Sequence, residues 1–419
     1  MTSIPERVPI PKNGVDYRGK VVLAPMVRSG ELPSRLLALK YGADLVWGPE
    51  TIDKAIIGTT VKSNPVTSTI DFARYPSNVS KVPIEEQRES IIYRLHPERE
   101  GRKLIYQIGT ASPTLAVEAA KMVAPYVAGI DVNSGCPKPF STSGGMGAAL
   151  LRTPELLASI LEALVKEVGE VYEIGISVKI RLLETPEETA ALVRRICKTG
   201  ITGLTVHCRT TPMRPRERAI REQLRMIGDI CRATGVACLM NGDVRNRDEA
   251  LGLVEEYGVD GAMIATAAEA NSSAFRTRTE GGLLPWQEVV KEYVKTAIEV
   301  DNRWGNTKFL LSQLMPGKFP LYTKVTQAKN YTQICEILEY EDFYDKARDL
   351  DERLGLTILS GKALRKAMNK KNESVKAAGA ARKKSGAAAP EKASHRPLSQ
   401  RGVENTVSIG NENAVAIAT

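Results

Sequence analysis

The chain has 419 residues, 42% of them hydrophobic and 26% charged, which is enough for one large domain and a smaller companion. No apolar run approaches the roughly 20 residues that span a bilayer, and Met1–Arg7 lacks the apolar stretch of a secretory signal, so no membrane partner is expected. The net charge is +9, but from Lys362 onward there are 12 Lys/Arg against 4 Asp/Glu, while the residues before it carry 46 against 45. The excess belongs to the tail. Such a tail either attracts polyanions without reading them or is simply a solvated, disordered end.

Taken in chain order, short apolar runs alternate with helical patterns. Strands are expected at Val21–Met26, Ala43–Trp47, Leu104–Ile108, Val127–Val132, Ile176–Ile180, Gly203–His207, Ala237–Asn241 and Gly261–Ala265. They are nearly continuous apolar runs, as strands buried on both faces are. Helices are expected at Leu32–Tyr41, Pro113–Val123, Pro154–Val168, Pro186–Thr199, Ala219–Thr234 and Arg247–Tyr257. Pro113, Pro154 and Pro186 each follow a Ser or Thr suited to cap a first helical turn. Eight such units predict a closed TIM (β/α)8 barrel rather than an open doubly wound sheet.

Gly48–Arg102 breaks the alternation. Its Thr69–Tyr75 and Ser90–Arg94 segments predict an extra hairpin over the barrel mouth. After the eighth unit, Trp286–Val300, Thr307–Met315, Tyr322–Thr326, Ile334–Tyr344 and Ala347–Leu354 predict a small all-α domain. From Asn369 the chain is of low complexity and basic, with too little apolar surface to fold alone. The expected boundaries are an arm at 1–17, a barrel at 18–285, a helical domain at 286–368 and a disordered tail at 369–419.

Active sites on such barrels lie at the C-terminal strand ends. Those ends carry Pro25 and Met26, Gln107, Asn133 and Cys136, Lys179 and Arg181, His207 and Arg209, and Asn241-Gly242-Asp243. A planar redox cofactor with polar edges needs such a ring of donors and acceptors. A Lys inside an apolar strand is costly unless paired, so Lys179 is either one half of a salt bridge or a functional cation. His207 is one of three histidines and is either a satisfied core residue or a ligand. Cys136 stands between Gly135 and Pro137, before the glycine-rich Ser141–Gly147, which argues against a packed core thiol and for a loop that moves as a lid. The six cysteines, at 136, 197, 208, 231, 238 and 335, include no Cys-x-x-Cys pair, so no metal is expected and a reducing compartment fits. Arg209, Arg214, Arg216, Arg218, Arg221 and Arg225 cluster after the sixth strand, as a solvated face or as an RNA-backbone contact.

Five motifs occur in order: Ala24-Pro25-Met26, Asp131–Pro137, Val178–Arg181, Val206–Arg209 and Asn241–Asp243. Together they resemble the tRNA-dihydrouridine synthases over residues 18–275. The run Lys138–Leu151 is most similar to the eukaryotic branch that modifies position 20 of the D-loop, and Asn302–Phe309 resembles the start of that branch's helical domain. The resemblance implies FMN across the barrel mouth, with NADPH or NADH as co-substrate. Pro25, Met26 and Val27 would touch the cofactor through main chain, Gln107 and Lys179 at the polar ring edge, and His207 beside them. Asn241, Gly242, Asp243, Ala265 and Thr266 would lie toward its ribityl and phosphate. Hydride would reach C6 of uracil, and Cys136 would protonate C5 as the general acid. Asn133, Arg181 and Arg209 would contact the substrate. The implied partner is tRNA, gripped by the helical domain, and the implied state is a monomer in the cytoplasm, extending to the nucleus.

The sequence departs from the family at Thr266, where an arginine is expected, and at Ala270-Asn271-Ser272, in place of Trp-Asn-Pro. It shows no double-stranded-RNA-binding domain. Two other readings stand beside this one: an FMN barrel oxidoreductase acting on free pyrimidines, and a catalytically weak RNA-binding relative.

Overall fold

The structure, a computed structural model, describes residues 7–75, 87 and 89–356. The expected basic tail lies outside the described residues. Twelve strands are defined: β1 Lys20–Leu23, β2 Leu45–Trp47, β3 Thr51–Ile52, β4 Thr60–Asn64, β5 Thr69–Arg74, β6 Ser90–Leu95, β7 Leu104–Gly109, β8 Gly129–Ser134, β9 Gly175–Arg181, β10 Gly203–His207, β11 Ala237–Asn241 and β12 Gly261–Ile264. Eight of them form the expected parallel barrel, in the order β2-β1-β12-β11-β10-β9-β8-β7, and the β2–β7 pair closes it. β3 adds a short extension paired to the end of β7.

Alternation along each strand divides two cores. Val22, Leu45, Trp47, Ile105, Leu239 and Met263 fill the barrel interior. Val21, Leu23, Val46, Tyr106, Val178 and Met240 face the surrounding helices. Tyr17, assigned above to an N-terminal arm, belongs to the interior layer. A Cβ at Gly203 would lie 2.6 Å from the Tyr17 ring, so only glycine admits this plug at the barrel floor.

Helix starts follow the expected signals in two cases of three. Ser112 accepts from Leu115 N, and Thr185 forms a full capping box with Glu188. Thr153 does not cap; its hydroxyl points back to the Leu150 carbonyl. The helix expected from Ala219 begins only at Leu224. Its first residues are held elsewhere: Ala219 N donates to Asp243 Oδ2, and Ile220 N to the Cys208 carbonyl.

The hairpin expected over the mouth is instead a three-stranded antiparallel sheet, β4-β5-β6, packed on the barrel's outer wall. Phe72 and Tyr93 stack edge-on with Tyr126 and Tyr106. Between β2 and β7 the helical layer is reduced to the short helices Asp53–Ile56 and Pro97–Glu100. A buried ion pair, Arg35 to Glu100 at 2.6 Å, binds the first helix, Leu32–Lys40, to this region.

Beyond β12, helices Trp286–Glu299, Trp304–Leu314, Tyr322–Gln327, Tyr331–Ile337 and Tyr344–Leu354 enclose a second core. That core includes Leu37 and Tyr41 of the first barrel helix, so the two parts share apolar surface. The single helix expected over Ile334–Tyr344 breaks after Ile337, where Glu339 takes a φ of 57°.

Candidate active site

The C-terminal strand ends surround a cleft of about 400 Å³. Of the sequence-predicted residues, Pro25, Val27, Gln107, Asn133, Cys136, Lys179, Arg181 and His207 line it together. Met26, Arg209, Asn241, Gly242, Asp243, Ala265 and Thr266 do not.

Local folding fixes the thiol. β8 ends at Ser134, and the Asn133 Oδ1 turns back to accept from Gly135 N at 3.0 Å and Cys136 N at 3.1 Å. On the far side, the Cys136 carbonyl accepts from Ala148 N at 2.9 Å. Arg181, at the end of β9, donates from Nε to the Gly135 carbonyl and from Nη1 to the Thr210 carbonyl. The thiol therefore stands on a loop pinned at three points. Burial pushes it up from the ordinary thiol range, the Glu50 carboxyl adds to that, and Lys138 and Arg181 oppose it.

Lys179 is only 9% exposed and makes no hydrogen bond or ion pair among the described residues. Burial, with Arg181 second, pushes its ammonium down to about 8, while Asp131 works the other way. Asp131 is fully buried, accepts from Gln107 Nε2 at 2.8 Å and Ser177 Oγ at 2.7 Å, and is pushed up to about 6 by burial. Asp131 thereby orients Gln107, whose amide oxygen has no hydrogen bond among the described residues.

His207 is held neutral: burial first, then the charges of Lys179, Arg181 and Arg209, push it down to about 2. Its Nε2 lies 3.2 Å from Arg209 Nη1. Arginine only donates, so Nε2 accepts and the ring proton resides on Nδ1.

Arg209 sits 3% exposed, away from the cleft. It donates to Glu217 and Pro215 carbonyls and pairs with Asp243 Oδ1 at 2.5 Å, so it braces the loop after β10 instead of facing a substrate. Asp243 is likewise taken by Arg209 and Ala219 N. Asn241 donates to the Met263 carbonyl, tying β11 to β12. Thr266 opens a short helix, Thr266–Ala270.

The cleft also contains residues that sequence reasoning passed over: Arg28, Glu50, Lys138, Phe140 and Phe309. Glu50 lies three residues beyond the end of the second apolar run, so the strand-end rule could have found it. Phe309 arrives from the helical region, and no local signal points to it. Its ring carries the Arg28 guanidinium at 4.1 Å.

A (β/α)8 barrel with a thiol, a buried amine and a neutral imidazole at its C-terminal mouth defines a class of barrel enzyme whose chemistry lies in that mouth. The chain matches the dihydrouridine synthase family over residues 22–335, and it belongs to that family. It is 52% identical over 332 residues to the tRNA-dihydrouridine(20) synthase (NAD(P)+) of Schizosaccharomyces pombe, covering 78% of this chain and 66% of that protein. It is 45% identical over 331 residues to the Saccharomyces cerevisiae protein of the same name, covering 78% and 84%. The Saccharomyces cerevisiae tRNA-dihydrouridine(20a/20b) synthase (NAD(P)+) is 26% identical over 327 residues, with 76% and 79% covered. The chain thus spans just under two thirds of the length of the Schizosaccharomyces pombe relative.

Proposed function

We propose that this protein is a tRNA-dihydrouridine synthase, which reduces the C5–C6 double bond of uridine at position 20 of the D-loop, with FMN resident in the barrel mouth and NADPH or NADH as reductant. One observation carries the reading: Cys136, Lys179 and His207 converge on a single cleft of about 400 Å³. The residues fit the cofactor. An unpaired ammonium buried as deeply as Lys179 calls for an anionic partner, and an electron-rich ring edge is one. Gln107, Lys179 and His207 would hold that edge. Asn241 and Gly242, with the backbone N–H groups around Ala265 and Thr266, would lie toward the phosphate. Bound there, FMN supplies hydride for C6 of the uracil.

The chain's own residues do the rest. Cys136 donates its proton to C5. Burial keeps the thiol protonated near neutrality, as a general acid must be. Asn133 and Arg181 fix the backbone that leads into that thiol. Arg209 acts one step removed, by setting the tautomer of His207. Phe309 and Arg28 bring the helical region to the cleft edge, where an extruded base from a loop would enter. The test is to purify the full chain, record its visible flavin bands, and incubate it with unmodified tRNA and NADPH. Dihydrouridine in the D-loop supports the reading; a colourless protein that forms none after FMN is added refutes it.

A further inference from the structure

We propose that Glu50 is the proton relay of this cleft: its carboxyl returns a proton to the Cys136 sulfur after that thiol has protonated the substrate. The proposal rests on the reading of Cys136 as the proton donor.

The geometry is specific. Glu50 lies between β2 and β3, and the pairing of Thr51 and Ile52 with Ile108 and Gly109 fixes its backbone. Its Oε1 accepts from Ser141 Oγ at 3.1 Å, and Ser141 belongs to the loop that carries Cys136. Its Oε2 is buried with no hydrogen-bond partner among the described residues. Across from it stands Gly109, where any side chain would run into Oε1. Space has been left for this carboxyl, and it opens on the same cleft as the thiol. A buried carboxyl oxygen without a partner is costly as an anion and cheap as an acid. Burial accordingly pushes Glu50 up, against the pull of Asn133, Ser141 and Cys136. The charged groups facing Cys136 are Glu50, Lys138, Lys179 and Arg181.

A relay answers a problem posed by the loop. The backbone of Cys136 is pinned through Gly135, Cys136 N and the Cys136 carbonyl, so the loop does not carry the sulfur away from Glu50 while a polymer covers the mouth. The steps balance. The S–H bond breaks as the C5–H bond forms, and its electron pair stays on sulfur. The Glu50 O–H bond then breaks as S–H re-forms, leaving a carboxylate. That carboxylate takes a proton from water once the product has left the cleft, at the edge where Phe140 is 44% exposed. Neither residue is oxidised or reduced.

The experiment uses the full chain with Glu50→Gln and Glu50→Ala. First, Cys136 alkylation by iodoacetamide is followed by mass across pH. Removing the opposing carboxylate should move the midpoint down by about half a unit or more in Glu50→Gln; an unchanged midpoint overturns the coupling. Second, the same variant should show a burst of one dihydrouridine per enzyme, then turnover at least about tenfold slower than wild type. Formate buffer should restore Glu50→Ala turnover in proportion to formic acid at constant pH, which a merely structural role would not allow. Wild-type steady turnover in Glu50→Gln, or absence of rescue, overturns the relay. If the wild type itself forms no dihydrouridine, the reading of the site fails first, and the alkylation midpoint tells that failure from this one.

Discussion

The Nε of Arg181 donates to the Gly135 carbonyl across 2.7 Å, and this bond ties the residue before Cys136 to the end of β9. The same guanidinium reaches the Thr210 and Met213 carbonyls, so one side chain joins two catalytic-face loops. Arg181→Met should leave the barrel folded and the cofactor bound but let the thiol drift. Turnover should fall by about 10²-fold, with little change in tRNA affinity, because misplacement by about 1 Å costs that much. Single-turnover kinetics beside a tRNA binding curve would check it; equal losses in both would mean Arg181 chiefly binds RNA.

Lys179 is a strained cation, and this makes a pH prediction. Its folded ammonium is pushed down to about 8 from an ordinary 10.5. Below about 8 the folded state holds a proton at a penalty. Between 8 and 10.5 the unfolded chain binds more protons than the folded one, so this residue makes stability rise with pH across that window. Lys179→Met should therefore melt higher than wild type at pH 7 in cofactor-free protein, by up to about 3 kcal/mol, and the gap should close toward pH 10. The same variant should hold FMN more weakly. A gap that widens with pH would reverse the assignment.

Thr266 stands at the short helix after β12 where the family's expected arginine is missing. If the cofactor phosphate lies there, Thr266→Arg should tighten FMN binding by about tenfold, the scale of one charge-assisted hydrogen bond. Flavin fluorescence titration reads this directly. No change in affinity would place the phosphate elsewhere.

Phe309 under Arg28 is the contact that brings the helical region to the cleft. Phe309→Ala should raise KM for tRNA several-fold and leave flavin content unchanged, consistent with a cation–π pair worth about 1 kcal/mol plus lost packing. A fall in flavin content with unaltered KM would assign the ring to the cofactor side instead.

The barrel was legible because its strands are buried on both faces, and such runs stand out in any sequence. Gly203–His207 and Ala237–Asn241 were bounded correctly to the residue. The strand-end rule likewise located Cys136, Lys179 and His207. What stayed hidden depends on contacts distant in sequence. Arg209 looked like a free cation until Asp243, 34 residues away, was seen to hold it. β5 and β6 were recognisable as strands while the exposed β4 was not, and only the Phe72–Tyr126 and Tyr93–Tyr106 contacts assign the sheet to the outer wall. Asp131 lay in a quoted motif, yet its part in orienting Gln107 needs the register of β7 on β8.

The most direct test is to map dihydrouridine at position 20 of unmodified tRNA after incubation with FMN, NADPH and either wild-type chain or Cys136→Ala. The account predicts full conversion by the wild type, and loss of about 10²- to 10⁴-fold in rate for the variant with its flavin bands intact. Undiminished conversion by Cys136→Ala, or none by the flavin-loaded wild type, would contradict it.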